Sequence, residues 1–366
     1  MANVILTPDI IAKEALMQLE SNLVMAGLVH RDYSKEFVKV GDTITIRKPA
    51  KFVAKNFLGE VENQDLIEGS VDVKMDRYRD ITVPITSKEM TLDISDFSEQ
   101  VIKPAMSAIA TAVDEDCLAV GIQNAGNKVS VSAEPSIKDL ANIGKALDKK
   151  KAPRDNMRNL VLGVDTTYKY NTLTDFTDIS ASGSSEALRD ATIGKAYTMN
   201  TYMSQNTPAN VSEEAGTITA LKVTGTKGET EFVASDCTPE AGTLKAGDKI
   251  IVNGYVYTVK TDATASSGAI ASLEVEEKVV STISSAIDAT VITKEHSLGF
   301  HRNGLALVTR DLELPAGASK AAIASANGLS VRVVYGYDQD TKTDKISFDI
   351  IYGVKDLNDD LLVDFA

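Results

Sequence analysis

The sequence predicts an α+β protein of more than one domain, and three observations carry that expectation. Helix-period apolar patterns occupy residues 7–27, 96–123 and 136–150. Strand-like alternation fills 43–46, 71–85 and much of the chain beyond 299. From about Val211 to Val291 the texture shifts to Gly, Thr, Ser and Ala between short alternating runs. At 366 residues and 43% apolar content, the chain is long enough for two or three folded domains with a sizeable core.

The first helix is expected over 7–27. Thr7 can cap it, Pro8 takes the first helical position, Gly27 can close it, and Ile11, Ala15, Met17, Leu19 and Leu23 give a mostly apolar face. Ile44 and Ile46 then alternate with Thr43, Thr45 and Arg47 in a strand that ends at Pro49. Val71, Val73 and Met75 alternate with Asp72, Lys74 and Asp76, and Ile81, Val83 and Ile85 continue the extended character. Asp96 with Glu99 opens a long helix by a capping-box-like start; Pro104 either kinks it or marks its first turns, and Gly121 or Gly126 ends it. A shorter amphipathic helix follows at 136–150, RNLVLGVD (158–165) reads as a buried strand, and 178–190 reads as a Ser- and Gly-rich loop. Within 211–291, Asn253-Gly254 lies between KIIV and YVYTV, a strong hairpin signal. That stretch lacks arginine, and the reading is a compact all-β insertion. Two more strands, LSVRVVYGY and KISFDIIYGV, precede an acidic last segment that closes on the body.

Composition excludes several classes of function. A formal charge of −14 disfavours tight binding to a phosphate backbone. With no Trp and 5% aromatics, stacking on bases or sugars has little support. Two cysteines 120 residues apart make no disulfide framework, and Cys117 reads as a small buried apolar group. The opening MANVILTPDI has no basic region of a signal peptide, and no run is long and apolar enough to span a bilayer, so the expectation is a cytoplasm-like solvent.

Chemistry-bearing motifs are absent from the sequence. His30, His296 and His301 fall in no metal-ligand spacing, and no Gly-rich phosphate loop precedes a helix. Ser180–Ser185 is no nucleophile elbow. Asp338, Asp340 and Asp344 lack the glycine and terminal glutamate of a calcium loop and read as a hairpin loop. Asp356, Asp359, Asp360 and Asp364 read as a solvated face. The exception is a reversal of charge. Arg47, Lys48, Lys51 and Lys55 are followed by Glu60, Glu62, Asp65 and Glu68, then Asp72 and Asp76. Either the two arms pair within one hairpin, or the arm lies on a neighbouring molecule and sets register there by complementary charge.

GDTITIRKPAKF (41–52), after an N-terminal helix, resembles the major coat proteins of tailed phages, nearest the short-tailed-phage coat family with an inserted β domain. SEQVIKPAMSAIATAVDEDCLAV (98–120) is similar to that family's long spine helix, and TLKAGDKIIVNGYVYTV (243–259) to the hairpin of its insertion domain. GFHRNGLALVTRDLELP (299–315), then GLSVRVVYGYD and ISFDIIYGV, resembles its carboxyl-terminal third. Each is a loose pattern; their order along the chain carries the specificity.

The resemblance implies the Hong Kong 97 phage capsid fold, an α+β architecture. On that mapping an N-terminal helix and arm occupy 1–40, an extended loop 41–84, and a peripheral domain with the spine helix 85–126. The first part of the axial domain takes 127–210, the inserted all-β domain 211–291, and the axial return with peripheral strands 292–366. The implied function is a major capsid protein that self-assembles through pentamers and hexamers into an icosahedral shell around double-stranded DNA. It implies a virion location, with assembly in the host cytoplasm, and partners that are other copies of itself, a separate scaffolding protein and a portal. The DNA would be held without sequence-specific contact. No catalytic residue, cofactor or metal is expected. The inter-subunit contact candidates are Arg47, Lys48, Lys51, Lys55, Glu60, Glu62, Asp65 and Glu68. No acidic scaffold-like helix precedes residue 7, and Lys51 or Lys55 is not expected to form an isopeptide crosslink. The competing readings are an encapsulin-like nanocompartment of the same fold, a β-rich adhesin or carbohydrate-binding protein, and, more distantly, an enzyme.

Overall fold

The computed structural model describes residues 8–31, 43–48, 69–85, 98–132, 135–178, 193–210, 216–317, 320–326, 328–338 and 343–366. The chain divides into two compact units, each assembled from separate stretches of sequence. Met1–Asn22, His30–Ile109 and Ala306–Leu357 make the first; Leu23–Val29, Ala110–Leu305 and Asn358–Ala366 make the second.

The first unit is built on a five-stranded sheet. Lys320–Ala326, Leu329–Asp338 and Thr343–Asp356 follow one another as antiparallel neighbours. Arg77–Ile85 pairs antiparallel along Thr343–Asp356, from Ile85 opposite Asp344 to Arg77 opposite Tyr352. Leu305–Thr309 completes the sheet beside Thr343–Asp356. Residues 77–84, assigned by resemblance to the extended loop, are therefore sheet strand. Val331, Val333, Ile346, Phe348 and Ile350 are buried, as strand alternation demands. The helix Pro8–Asn22 packs on Lys320–Ala326 and Leu329–Asp338 and buries Ile11, Ala12, Ala15, Leu16 and Leu19.

That helix is shorter than its periodicity predicts. It stops at Asn22, and a separate turn, Met25–Leu28, contains Gly27 rather than ending there. The cause lies 90 residues away in sequence. The Asp114 carboxylate accepts the Val24 and Met25 N–H groups, each at 3.0 Å, and so caps a new helical start.

The second unit holds two six-stranded sheets. The first is mixed, in the order Asn127–Val129, Leu362–Phe365, Ser297–His301, Arg158–Leu162, Met199–Met203, Lys195–Ala196. Its three central strands are buried throughout. The helix Ile137–Lys149 covers it with Leu140, Ile143 and Leu147, and Ser136 and Asp139 form the capping box at its start. The long helix Lys103–Gln123 is preceded by a π-helical turn at Ser98–Ile102, and Pro104 sits in the first turn of regular helix, next to that irregularity. Of the two glycines expected to end this helix, Gly121 lies inside it and Gly126 lies beyond its last residue, Gln123; a Cβ at Gly121 would stand 2.4 Å from a Leu298 methyl, so the leucine would have to shift to admit a larger residue.

Two further expectations are corrected in this sheet. The acidic last segment does close on the body, but Asp364 is no part of a solvated face: Leu362–Phe365 is a central buried strand, and Asp364 is buried with it, bonded to His296 Nδ1 at 2.8 Å. Its aspartates hid a strand in which the consecutive Leu362 and Val363, together with Phe365, are buried on both faces. The run read as one strand over 158–165 splits at Gly163 into the strand Arg158–Leu162 and the helix Val164–Asn171. Again a remote carboxylate decides. Glu295 accepts from the Thr166 N–H at 2.7 Å, the Asp165 N–H at 3.2 Å and the Thr166 hydroxyl at 2.7 Å.

The second sheet is antiparallel and drawn from 220–292, in the order Tyr255–Thr258, Lys249–Val252, Ile283–Ile292, Ala220–Gly225, Glu231–Thr238, Ile270–Glu274. Asn253 and Gly254 form the expected two-residue turn, with φ of 52° and 77°. Its own core includes Ile218, Val223, Phe232, Leu244, Ile250 and Leu273, and Phe232 meets Tyr257 edge-on at 4.9 Å.

Candidate assembly interface

The arm singled out by its charge is a two-stranded antiparallel ribbon at its base. Thr43–Lys48 pairs with Gly69–Lys74, from Thr43 opposite Lys74 to Lys48 opposite Gly69. Lys51, Lys55, Glu60, Glu62, Asp65 and Glu68 lie outside the described residues. Of the candidates, Arg47 and Lys48 fall within them, opposite Ser70 and Gly69 in register. Neither position faces a carboxylate directly across the ribbon. Asp72 instead stands opposite Thr45 and accepts its hydroxyl at 2.6 Å.

The ribbon is anchored by its apolar face. Val73 and Met75 are buried with Ala306, Val308 and Leu357, and Val71 packs beside them. Burying side chains of this size removes about 1.5–3 kcal/mol each from solvent exposure. Gly353 makes the seat possible, because a Cβ there would stand 2.3 Å from the Lys74 carbonyl oxygen. Just beyond the anchor, Arg332 reaches the register partner Asp349 across the sheet, Nη2 to Oδ2 at 2.6 Å and Nε to Oδ2 at 3.0 Å. The same guanidinium donates to the Glu313 carbonyl at 2.7 Å and the Tyr78 hydroxyl at 3.0 Å. Asp349 is buried, so this hydrogen-bonded pair fixes the register of Leu329–Asp338, Thr343–Asp356 and Arg77–Ile85 together. Burial and the Asp349 charge raise the Tyr78 phenol above its ordinary range.

Neither Arg332 nor Asp349 stood out in the sequence. The signal was available as an opposite-charge pair across a predicted hairpin, but it needed the register. Elsewhere, titratable groups do structural work. His301 caps its own turn by accepting the Asn303 N–H at 3.2 Å, and its Nε2 lies 3.1 Å from Asp155. Cys117 and Cys237 are both buried. No cluster of three or more metal-ligating side chains occurs among the described residues. No helix among them is long and apolar enough to cross a membrane.

No family model matches the sequence, and no curated protein matches it. Solved structures do. A chain from Mycobacterium phage Che8 superposes with a TM-score of 0.53 at 16% identity, covering 94% of this chain and 90% of that one. The capsid structure of the cyanophage P-SCSP1u follows at a TM-score of 0.48 and 11% identity, covering 90% and 84%. The mature capsid of bacteriophage PhiM1 gives 0.48 and 8%, covering 89% and 82%. From end to end, this chain has the mixed α+β fold of the phage Che8 chain.

Proposed function

We propose that this chain is the major capsid protein of a tailed double-stranded DNA phage, built on the Hong Kong 97 fold with an inserted β domain. The observation that carries the reading is the fold shared with the phage Che8 chain over nearly the full length of both. The order of the resembling segments supports it. Copies of the chain pack head-to-tail into pentamers and hexamers, a heterologous contact that closes by rotation. The arm at 41–76 reaches onto a neighbouring copy, with its base at Thr43–Lys48 and Gly69–Lys74 and its charged residues beyond. At the base of the ribbon, Arg47 and Lys48 stand opposite Ser70 and Gly69 in register, and the charged residues of the arm match complementary charge on another copy. Each such contact is weak, so misplaced subunits can leave and many correct contacts together hold the shell.

Electron microscopy of the purified chain tests the reading: it forms closed shells or capsomer rings, and a strictly monomeric chain under assembly conditions would refute it. Lys51→Glu and Lys55→Glu leave the subunit folded and block or misdirect assembly. Wild-type-like particles from both variants would remove the arm from the mechanism.

A further inference from the structure

Where the chain returns from Ile283–Ile292 to Ser297–His301, the second unit contains a cavity of about 350 Å³, a size ordinary for a small-molecule site. Lys128, Thr290, Thr293, Lys294, His296 and Asp364 stand in its wall. The fold itself does not require two features of that wall. The first is a buried carboxylate–imidazole pair. Asp364 lies on the central strand Leu362–Phe365, where an apolar residue would serve the core without a desolvation cost. Its carboxylate accepts from His296 Nδ1 at 2.8 Å, and the His296 main-chain N–H donates to the Pro208 carbonyl at 3.0 Å, so the imidazole is held from both ring and backbone. With the Nδ1 proton on Asp364, Nε2 presents a lone pair. That nitrogen bonds to no described residue and is not sealed from solvent. The second feature is positive charge left unbalanced. Lys222, Lys245 and Lys249 of the same unit meet carboxylates at 2.9, 2.8 and 3.6 Å. Lys128 and Lys294 meet none among the described residues, on a chain of formal charge −14. The Thr290 and Thr293 hydroxyls likewise bond to no described residue. Asp364, the acidic side chain of the wall, is engaged by the imidazole, and the Ala366 carbonyl oxygen takes the Val131 N–H at 2.8 Å.

We infer that this cavity binds a small oxyanion that retains an O–H, with hydrogen phosphate the best match. Lys128 and Lys294 offer two positive charges to its two negative ones, and the threonine hydroxyls donate to a further oxygen. The anion's own O–H donates to His296 Nε2. Asp364 is a positioning residue: by holding the Nδ1 proton it makes the imidazole an acceptor on the cavity side. An acceptor in an otherwise cationic wall repels oxyanions that have no proton to give, such as sulfate, a phosphomonoester dianion or the phosphate backbone of a nucleic acid. The cavity lies within a single copy of the chain, so the inference stands apart from the proposed assembly.

The test is equilibrium dialysis of the full-length chain against labelled inorganic phosphate, at constant ionic strength and about pH 8, where free imidazole is neutral. Sulfate and methyl phosphate are the competing probes, and thermal unfolding reads the fold of each variant. Phosphate binds saturably, and both competitors displace it about tenfold or more less effectively than unlabelled phosphate does. Lys128→Gln and Lys294→Gln each weaken phosphate by about tenfold with an unchanged melting temperature. His296→Asn keeps a donor for Asp364 but removes the acceptor, so phosphate falls to the level of sulfate while sulfate binds no more weakly than before. Absence of saturable phosphate binding, equal competition by sulfate or methyl phosphate, or unchanged binding in either lysine variant overturns the inference. Should His296→Asn fail to fold, the two lysine variants and the sulfate comparison on the wild type decide the matter. Dialysis reads monomers, rings and shells alike, so a negative result leaves the capsid reading standing, and failure to form shells leaves this site standing.

Discussion

Burial makes the ionisation of Asp114 costly. Its carboxylate is buried within the long helix, and burial pushes its pKa up to about 6 against an ordinary 3.8, although the Val24 and Met25 N–H groups pull the other way. A carboxyl raised in this way favours the folded state fully below about pH 4 and loses that contribution as pH rises through 6. Above that, the charged group costs on the order of 3 kcal/mol. Asp114→Asn removes the charge and keeps one acceptor for the cap. Denaturant midpoints should show it more stable than wild type by about 1 kcal/mol at pH 7.5, with little of the wild type's decline between pH 4 and 6. Gly353 makes the opposite prediction. With the Lys74 carbonyl 2.3 Å from any Cβ, Gly353→Ala forces the ribbon off its seat and costs about 1–3 kcal/mol by the same measurement.

The elements that the sequence made legible are those whose cause is local. Ser136 and Asp139 cap the helix they precede, Asn253-Gly254 turns the hairpin it interrupts, and the alternation in LSVRVVYGY and KISFDIIYGV is the alternation of the sheet. The missed elements have remote causes. Nothing near Val164 announces a helix, because its cap is Glu295; nothing near Leu23 announces a break, because the new cap is Asp114. Leu362–Phe365 was hidden by the aspartates before it and by Asp364 within it, whose partner His296 is remote in sequence. The candidate arm was legible as a strand and a charge pattern, while its seat on Val308, Leu357 and Gly353 depends on contacts nearly 300 residues apart. Glu295→Ala should cost about 1–2 kcal/mol, and faster amide exchange at Asp165 and Thr166, with unchanged protection in Ser297–His301, would locate the loss in that helix.

At the scale of the whole molecule, the antiparallel sheet of 220–292 has its own core and consecutive sequence, so a 205–295 fragment should unfold in one cooperative thermal transition. A gradual, featureless melt would show that it depends on the rest of the chain. Neither unit as a whole is continuous in sequence, and the mixed sheet takes a central strand from Leu362–Phe365. During translation that strand is delivered after the strands on either side of it, Asn127–Val129 and Ser297–His301. The gap between them stays open until the ribosome has passed Phe365. A product terminated early would therefore lack the middle of its sheet, and proteolysis would meet it before any neighbouring copy could enlist it.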